Sequence, residues 1–382
     1  MNVNIISKKE YQIIDTSINR NPLPIPDILS DIINKNLIED HSIKLQNLIY
    51  NKYMSNNMLF SNNIEQLLFN MIHIWNNNII LVEPYSNIYV EYAKLCNKDY
   101  TILHTTYENS YKLNPEDLRK CPANSLLIFN NVCNSTGVIY RKEEVKNILN
   151  ECKKLDITIL SDETYYNLCK NNLYNIKKNY KKTIIISTIS KDINIKGLTL
   201  SYIIFSNILK DIYIKYKYLH RSLNIEYSNI SEHITYKYIS NDIKIKEYRD
   251  KVIDIFQKTT SYLYNFLISN TKLSIVYPES GWSMFLNFKN YTNKLNNIGI
   301  INNINLSEYL ISNYKILSIP GHFFGNNEMT LCLHLTDLDV IETNIKVTNK
   351  KNEIISRSHF IWNYDKIIKL GNLMKDFLNE LK

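Results

Sequence analysis

Glycine is the conspicuous shortage in this chain of 382 residues: it has 7, where average usage gives about 27. Arginine is nearly as scarce, with six (Arg20, Arg119, Arg141, Arg221, Arg249 and Arg357). Asparagine, lysine, isoleucine and 29 tyrosines fill the space, the composition of an AT-rich genome. A glycine that survives such a bias marks a backbone position where a Cβ is not tolerated. No run approaches the ~20 apolar residues of a membrane span, and the opening MNVNIISKKEYQ has no apolar signal core. The six cysteines form no CxxC and show no Cys/His ligand spacing, so no metal site is expected. In a chain this long they read as reduced thiols, and the sequence predicts a soluble, cytoplasmic protein. The formal charge is +8, with lysines scattered rather than aligned in one stripe. That pattern predicts a solvated surface with no nucleic-acid partner and no membrane partner.

What is present is order. From about residue 58 to 205, β-rich apolar runs alternate with helix-period segments. The runs NIILVEP (78–84), YTILHT, SLLIFNNV (125–132), ITILSDE (157–163) and TIIIST (183–188) are continuously apolar, as strands buried on both faces should be. Helical patterns such as IEQLLFNMIHIW (64–75) and RKEEVKNILNECKKL (141–155) lie between them. The fold class expected is α/β, a three-layer, mainly parallel sheet covered by helices, with a smaller α+β C-terminal domain. A long helix over 247–269, the strands WSMFLNF and MTLCLHL, and a terminal helix make up the second part. The divisions expected are an N-terminal segment 1–45 packing on the small domain, a large domain 46–250 and a small domain 251–382. The stretch 337–362 reads as an insertion or a long loop.

Three strands end in polar signatures: NNVCNSTG (130–137), SDETYY (161–166) and STISK (187–191). Asn134, Asp162 and Lys191 are 28 and 29 residues apart, about one βαβ unit each. An amide, a carboxylate and an amine therefore project from successive strand ends toward one side of the sheet, where open α/β sheets bind ligands. Taken alone, Asp162 also reads as an N-cap before ETYYNL.

These motifs resemble those of the fold-type I pyridoxal-phosphate enzymes, the class I/II aminotransferase family. NVCNSTG is similar to the family's N-P-x-N-P-T-G without its prolines, DETY to D-x-A-Y, and TISKDINIKG to S-x-S-K followed by glycine. PESGWSMFLNF, IPGHFFG and IIDTSINRNPLPIPDIL are similar to its other motifs, so the resemblance spans nearly the whole chain, with five of the seven glycines at motif positions. It implies pyridoxal 5′-phosphate as cofactor, an amino donor and a 2-oxo acid as substrates, and a homodimer. Lys191 would bond the cofactor aldehyde and shuttle the proton, Asp162 would pair with the ring nitrogen, and Tyr165 and Asn134 would hold the phenolic oxygen. Thr188 and Ser190 would meet the phosphate, with the backbone near Asn63 and Ile64 at a helix N-terminus. The ring-stacking position falls on Ser86, the nearest aromatic being Tyr85. Two family arginines are absent: the phosphate ligand is Thr199 here, and the carboxylate clamp falls at about Cys332. Arg20 is the candidate to replace the clamp, and His334 serves only when protonated. Another reaction on the same cofactor, such as decarboxylation or elimination, or a non-catalytic interaction protein, stand as alternatives.

Overall fold

The computed structural model describes residues 14–17, 29, 42–170, 173–193, 197–225, 227–240, 243–336, 339–348 and 354–381, with the backbone alone for 339–348 and 354–363. In chain order the strands are β1 (Ile14–Asp15), β2 (Met58–Ser61), β3 (Ile79–Val82), β4 (Tyr100–Leu103), β5 (Leu126–Phe129), β6 (Thr158–Asp162), β7 (Thr183–Thr188) and β8 (Ser201–Phe205). They continue with β9 (Ser274–Ile275), β10 (Ser283–Asn287), β11 (Ile316–Leu317), β12 (Ile319–Pro320), β13 (Thr330–His334), β14 (Asp339–Thr348) and β15 (Ile354–Asn363). The principal helices are α1 (Ser42–Tyr53), α2 (Ile64–Ile74), α3 (Asn87–Leu95), α4 (Lys142–Lys154), α5 (Lys210–Ser222), α6 (Asn229–Ile239), α7 (Ile243–Asn270), α8 (Asn303–Tyr314) and α9 (Asp365–Glu380).

Seven strands form the main sheet in the order β2-β8-β7-β6-β5-β3-β4. All neighbours pair in parallel except at β8, which runs antiparallel to β2 and β7. The continuous apolar runs are explained by alternation between two buried faces. Leu126 and Ile128 of β5, Leu160 of β6 and Ile184 and Ile186 of β7 meet α2, α3 and α5. Leu127 and Phe129 of β5 and Ile159 of β6 point the other way, against Val145, Ile148 and Cys152 of α4. The three-layer α/β architecture expected from the sequence is the one observed.

The C-terminal part packs α7, α8 and α9 against a four-stranded antiparallel sheet, β12-β13-β10-β9. Trp282 and Phe256 meet at 4.9 Å in its core. β1 pairs in parallel with β11, Ile14 opposite Ile316, and Leu29 is buried in the same core. The stretch expected as a long loop contains instead the hairpin β14–β15, ten residues a side from Asp339↔Asn363 to Thr348↔Ile354. Interspersed asparagine, lysine and serine disguised the two-residue period, and pairing with each other satisfies backbone groups that a loop would leave to water. No helix among the described residues is long and apolar enough to cross a membrane.

Two of the surviving glycines can be compared directly. Gly197 has φ +83° and open space around it, whereas at Gly137 (φ +69°) a Cβ would lie 2.7 Å from the Ser280 carbonyl oxygen and 2.9 Å from the Pro278 Cβ. The Gly137 carbonyl also accepts from the Glu279 and Ser280 amides, at 2.9 and 3.0 Å, so this turn is one of the places where the main sheet's side meets the C-terminal part. Gly197→Ala is expected to cost about 1 kcal/mol, the price of the left-handed backbone. Gly137→Ala is expected to cost about 1–3 kcal/mol more, from overpacking against backbone that cannot recede. Urea unfolding of both variants checks the order.

Candidate active site

The main sheet reverses its strand order between β3 and β5, the point where such sheets open a crevice beyond the C-terminal strand ends. A cavity of about 280 Å³ lies there. Pro84, Tyr85 and Ser86 come to it from the end of β3, Asn130, Asn134 and Ser135 from β5, Asp162, Thr164 and Tyr165 from β6, and Lys191 from β7. Ile64 and Leu68 of α2, Ile88 and Tyr89 of α3, and Phe324 of the C-terminal part complete the wall.

Asp162 is the best-supported side chain in the cavity. Its Oδ1 accepts from the Thr164 amide at 3.0 Å and the Thr164 hydroxyl at 2.6 Å, and its Oδ2 accepts from the Tyr89 hydroxyl at 2.6 Å. The turn-forming bond to Thr164 and a place in the cavity are thus combined in one carboxylate. Tyr89 is fully enclosed, and burial, then the neighbouring Asp162 charge, raise its phenol far above its ordinary value, so it acts as a donor. Asn130 Nδ2 donates to the same hydroxyl at 3.3 Å.

Lys191 follows β7 in a turn nailed down on both sides. Ile189 and Ile193 are buried, with the Asp192 and Ile193 amides returning to the Ile189 carbonyl at 3.0 and 3.2 Å. The Asp192 carboxylate accepts from Tyr238 at 2.5 Å and Asn167 at 2.8 Å, and burial pushes its pKa up to about 6. Asn134 sits in the tight turn closed by the Gly137 amide on the Cys133 carbonyl, 2.9 Å. Tyr165 is buried edge-on to Trp282, with ring centroids 5.9 Å apart.

Of the residues singled out in the sequence, Asn134, Asp162, Tyr165, Lys191, Ile64 and Tyr85 line the cavity. Thr188, Ser190 and Asn63 do not. Thr188 is buried and shares a 3.1 Å hydrogen bond with Ser190, while Asn63 is exposed and caps α2 by accepting from the Glu65 amide at 2.9 Å. The Asn63 amide itself donates to Ser61 Oγ at 3.2 Å. Arg20 lies outside the described residues. Tyr89, Thr164 and Phe324 were missed. No local signal in YSNIY marks Tyr89 as a partner of Asp162.

The two positions discussed for the carboxylate clamp are both closed to that role. Cys332 is fully buried on β13 with its Sγ 3.5 Å from the Ser135 carbonyl, beside Tyr111, Phe285 and Phe324. His334 shares a 2.8 Å hydrogen bond with Ser283, and burial, helped by the Lys191 charge, depresses its pKa to about 3. It is neutral at physiological pH, which removes it as a cation. Thr199 is likewise buried.

The comparisons with known proteins agree with this geometry. The family model for aminotransferase class I and II matches residues 40–339. The aspartate aminotransferase of Bacillus subtilis is 25% identical over 300 residues, covering 73% of this chain and 71% of the relative. A probable aspartate/prephenate aminotransferase of Aquifex aeolicus is 23% identical over 272 residues, covering 68% and 66%. Among solved structures, the aspartate aminotransferase of Thermotoga maritima superposes with a TM-score of 0.77 at 16% identity, covering 97% of this chain and 93% of the other. The aromatic aminotransferase of Pyrococcus horikoshii gives 0.78 at 16%, covering 96% of each. The sheet, the motifs and the match over 40–339 lead to one conclusion: the chain belongs to the class I and II aminotransferases.

Proposed function

We propose that the protein is a pyridoxal-phosphate-dependent aminotransferase whose amino-transfer chemistry centres on Lys191. The observation that carries the reading is the convergence of Lys191, Asp162, Asn134 and Tyr165, from three strand ends, on one cavity. The donor set suits that cofactor: a carboxylate for a protonated ring nitrogen, an amide and a phenol for a phenolic oxygen, an amine for an aldehyde. Ile186 and the ring of Tyr89 add apolar surface to the lining. When bound, the cofactor supplies an electron sink for the pair released at the substrate Cα. Lys191 Nζ is the base that takes the Cα proton and returns it one position along as the amino group changes hands. Asp162, oriented by Tyr89 and Thr164, is the residue that would pair with the ring nitrogen. Ser190, Thr188 and the backbone about Asn63 and Ile64 are retained as the phosphate-side residues, and Tyr85 as the aromatic wall.

The same reading divides the chain into an N-terminal segment 1–45, a large domain 46–250 and a small domain 251–382. The exposed apolar side chains Ile214, Tyr218 and Leu223, along and just beyond α5, support a homodimer. No disulfide joins the six cysteines, which supports a reducing, cytoplasmic setting.

For the donor, the cavity wall offers one cation, Lys191, among the described residues, and the C-terminal part contributes to it the apolar ring of Phe324. An unpaired carboxylate is disfavoured against such a surface. This supports a bulky neutral amino acid, or an amine, over aspartate and glutamate, with Arg20 as the candidate partner of any α-carboxylate.

Three measurements check these statements. Borohydride reduction of the protein loaded with pyridoxal phosphate, followed by peptide mapping, is expected to find the pyridoxyl group on Lys191; an adduct on Lys196 contradicts the assignment. Tyr89→Phe removes one of three donors to Asp162 and is expected to speed cofactor loss on dialysis by about 10- to 100-fold, the worth of a hydrogen bond to a charged group. In single-turnover assays of bound-cofactor absorbance, aspartate and glutamate are expected to react at least about tenfold more slowly than phenylalanine or tyrosine. Fast aspartate turnover that survives Arg20→Ala overturns the donor reading.

A further inference from the structure

Glu83, between β3 and the cavity residues Pro84 and Tyr85, has no part in the chemistry described above, yet its carboxyl is 4% exposed. Its two oxygens face opposite ways. Oε2 meets His104 Nδ1 at 2.6 Å, on an imidazole that is 73% exposed. Oε1 accepts from the buried side-chain Nδ2 of Asn326 at 2.5 Å, across the boundary to the C-terminal part. Asn326 is in turn fixed: its Oδ1 accepts from Thr330 Oγ1 at 2.7 Å, its backbone N–H donates to the Gly321 carbonyl at 3.0 Å, and its backbone carbonyl accepts from Asn303 Nδ2 at 3.0 Å. A Cβ on Gly321 would come within 1.9 Å of Thr330 Oγ1, so that glycine makes room for the hydroxyl that orients Asn326. One residue from Asn326, the ring of Tyr85 lies on Gly325, and the Tyr85 amide donates to the Phe324 carbonyl at 3.1 Å. The segment PGHFFGN is thereby tied, through the Glu83 carboxyl group and the Tyr85 amide, to the strand end that carries the cavity wall. Phe324 forms part of that wall.

We propose that Glu83 is a positioning residue of this cavity, and that with His104 and Asn326 it forms a proton-sensitive latch holding the 321–327 turn, and Phe324 with it, against the site. The proposal rests on the cavity being the site of amino transfer. The groups facing Glu83 are His104 beyond β4, Glu328 on the C-terminal side, and the phenols of Tyr85 and Tyr111. Burial raises the Glu83 carboxyl above its ordinary value; the His104 and Asn326 hydrogen bonds pull it down, and the Glu328 charge adds to the rise. When the turn lifts, water reaches the carboxyl and its ordinary value returns. The closed turn therefore binds the Glu83 proton more tightly than the open one. Its advantage is complete below the ordinary carboxylate value and is lost as pH rises through the raised one. The closed-to-open ratio changes by about tenfold for each unit between the two values.

The test is amide hydrogen exchange at Tyr85, Gly325 and Asn326 in the full chain, corrected for intrinsic rates, from about pH 8 to about pH 5. In the wild type, protection is expected to rise as pH falls. Glu83→Gln, uncharged throughout and still able to accept from Asn326, is expected to hold the acid-limb protection at every pH. His104→Ala, on an exposed side chain, removes a group that lowers the Glu83 value, so the rise moves to higher pH. Asn326→Leu loses protection throughout. In the loaded enzyme, Glu83→Gln is expected to lower the donor KM several-fold near pH 8 with kcat retained. The proposal is overturned if Glu83→Gln loosens the segment or keeps the pH dependence, if His104→Ala leaves the midpoint in place, or if KM does not move. Exchange needs no cofactor, so failure to take up pyridoxal phosphate sinks the cofactor assignment without mimicking failure of the latch.

Discussion

A carboxylate at the end of a buried strand has lost much of its water, and the surroundings must replace it with donors. Asp162 is that group, and much of the site follows from satisfying it. Thr164 closes the turn after β6 to supply two hydrogen bonds, and α3 is placed so that Tyr89 supplies a third. Asn130, from the end of β5, then steadies the tyrosine hydroxyl. Three chain segments far apart in sequence are thus held at fixed relative positions by one negative charge. Such fully bonded networks specify geometry as well as adding stability.

The next residue uses the opposite face of the same strand end. Glu163 turns into the layer beneath α1, where its Oε2 accepts from the Tyr53 hydroxyl at 3.0 Å, and Tyr53 stands 3.3 Å from Tyr202. Burial pushes the Glu163 carboxyl up to about 7, the adjacent Asp162 charge adding to the rise and Lys52 opposing it. Two neighbouring carboxyls are therefore driven apart in character. Asp162 meets donors in an open cavity, while Glu163 sits where neutrality is favoured, which limits the repulsion between them. The seam between the lobes obeys the same rule: Glu83, Asn326 and the Gly137 turn bring polar groups together where neither lobe alone could satisfy them.

Much of this was legible before the structure. Strands buried on both faces leave continuous apolar runs, and β3, β5, β6 and β7 were read at nearly their observed positions. The polar residues at their ends fall one βαβ unit apart, which brought Asn134, Asp162 and Lys191 to one side of the sheet. Tyr89 was not legible, since its partner lies 73 positions away and no local pattern marks the pairing. The β14–β15 hairpin was hidden because its alternation is diluted by polar residues and its register depends on a partner strand. Thr188 and Ser190, read as neighbours of a ligand, bond each other beside the cavity, a contact that no local pattern marks.

The division has a physical origin. The sequence by itself determined the type and order of the elements and the side chains at strand ends, because periodicity, caps and turn signals are written within a few consecutive residues. Only the tertiary structure decided which of those side chains share a cavity and in what ionisation state. His334 could be read in the sequence as a conditional cation; burial, with the Lys191 charge beside it, makes it neutral. Glu83 carried no motif, and it acquires its place at the seam from Asn326, 243 residues away. Desolvation and charge–charge interaction act through space, so they are fixed only when the chain has folded back upon itself.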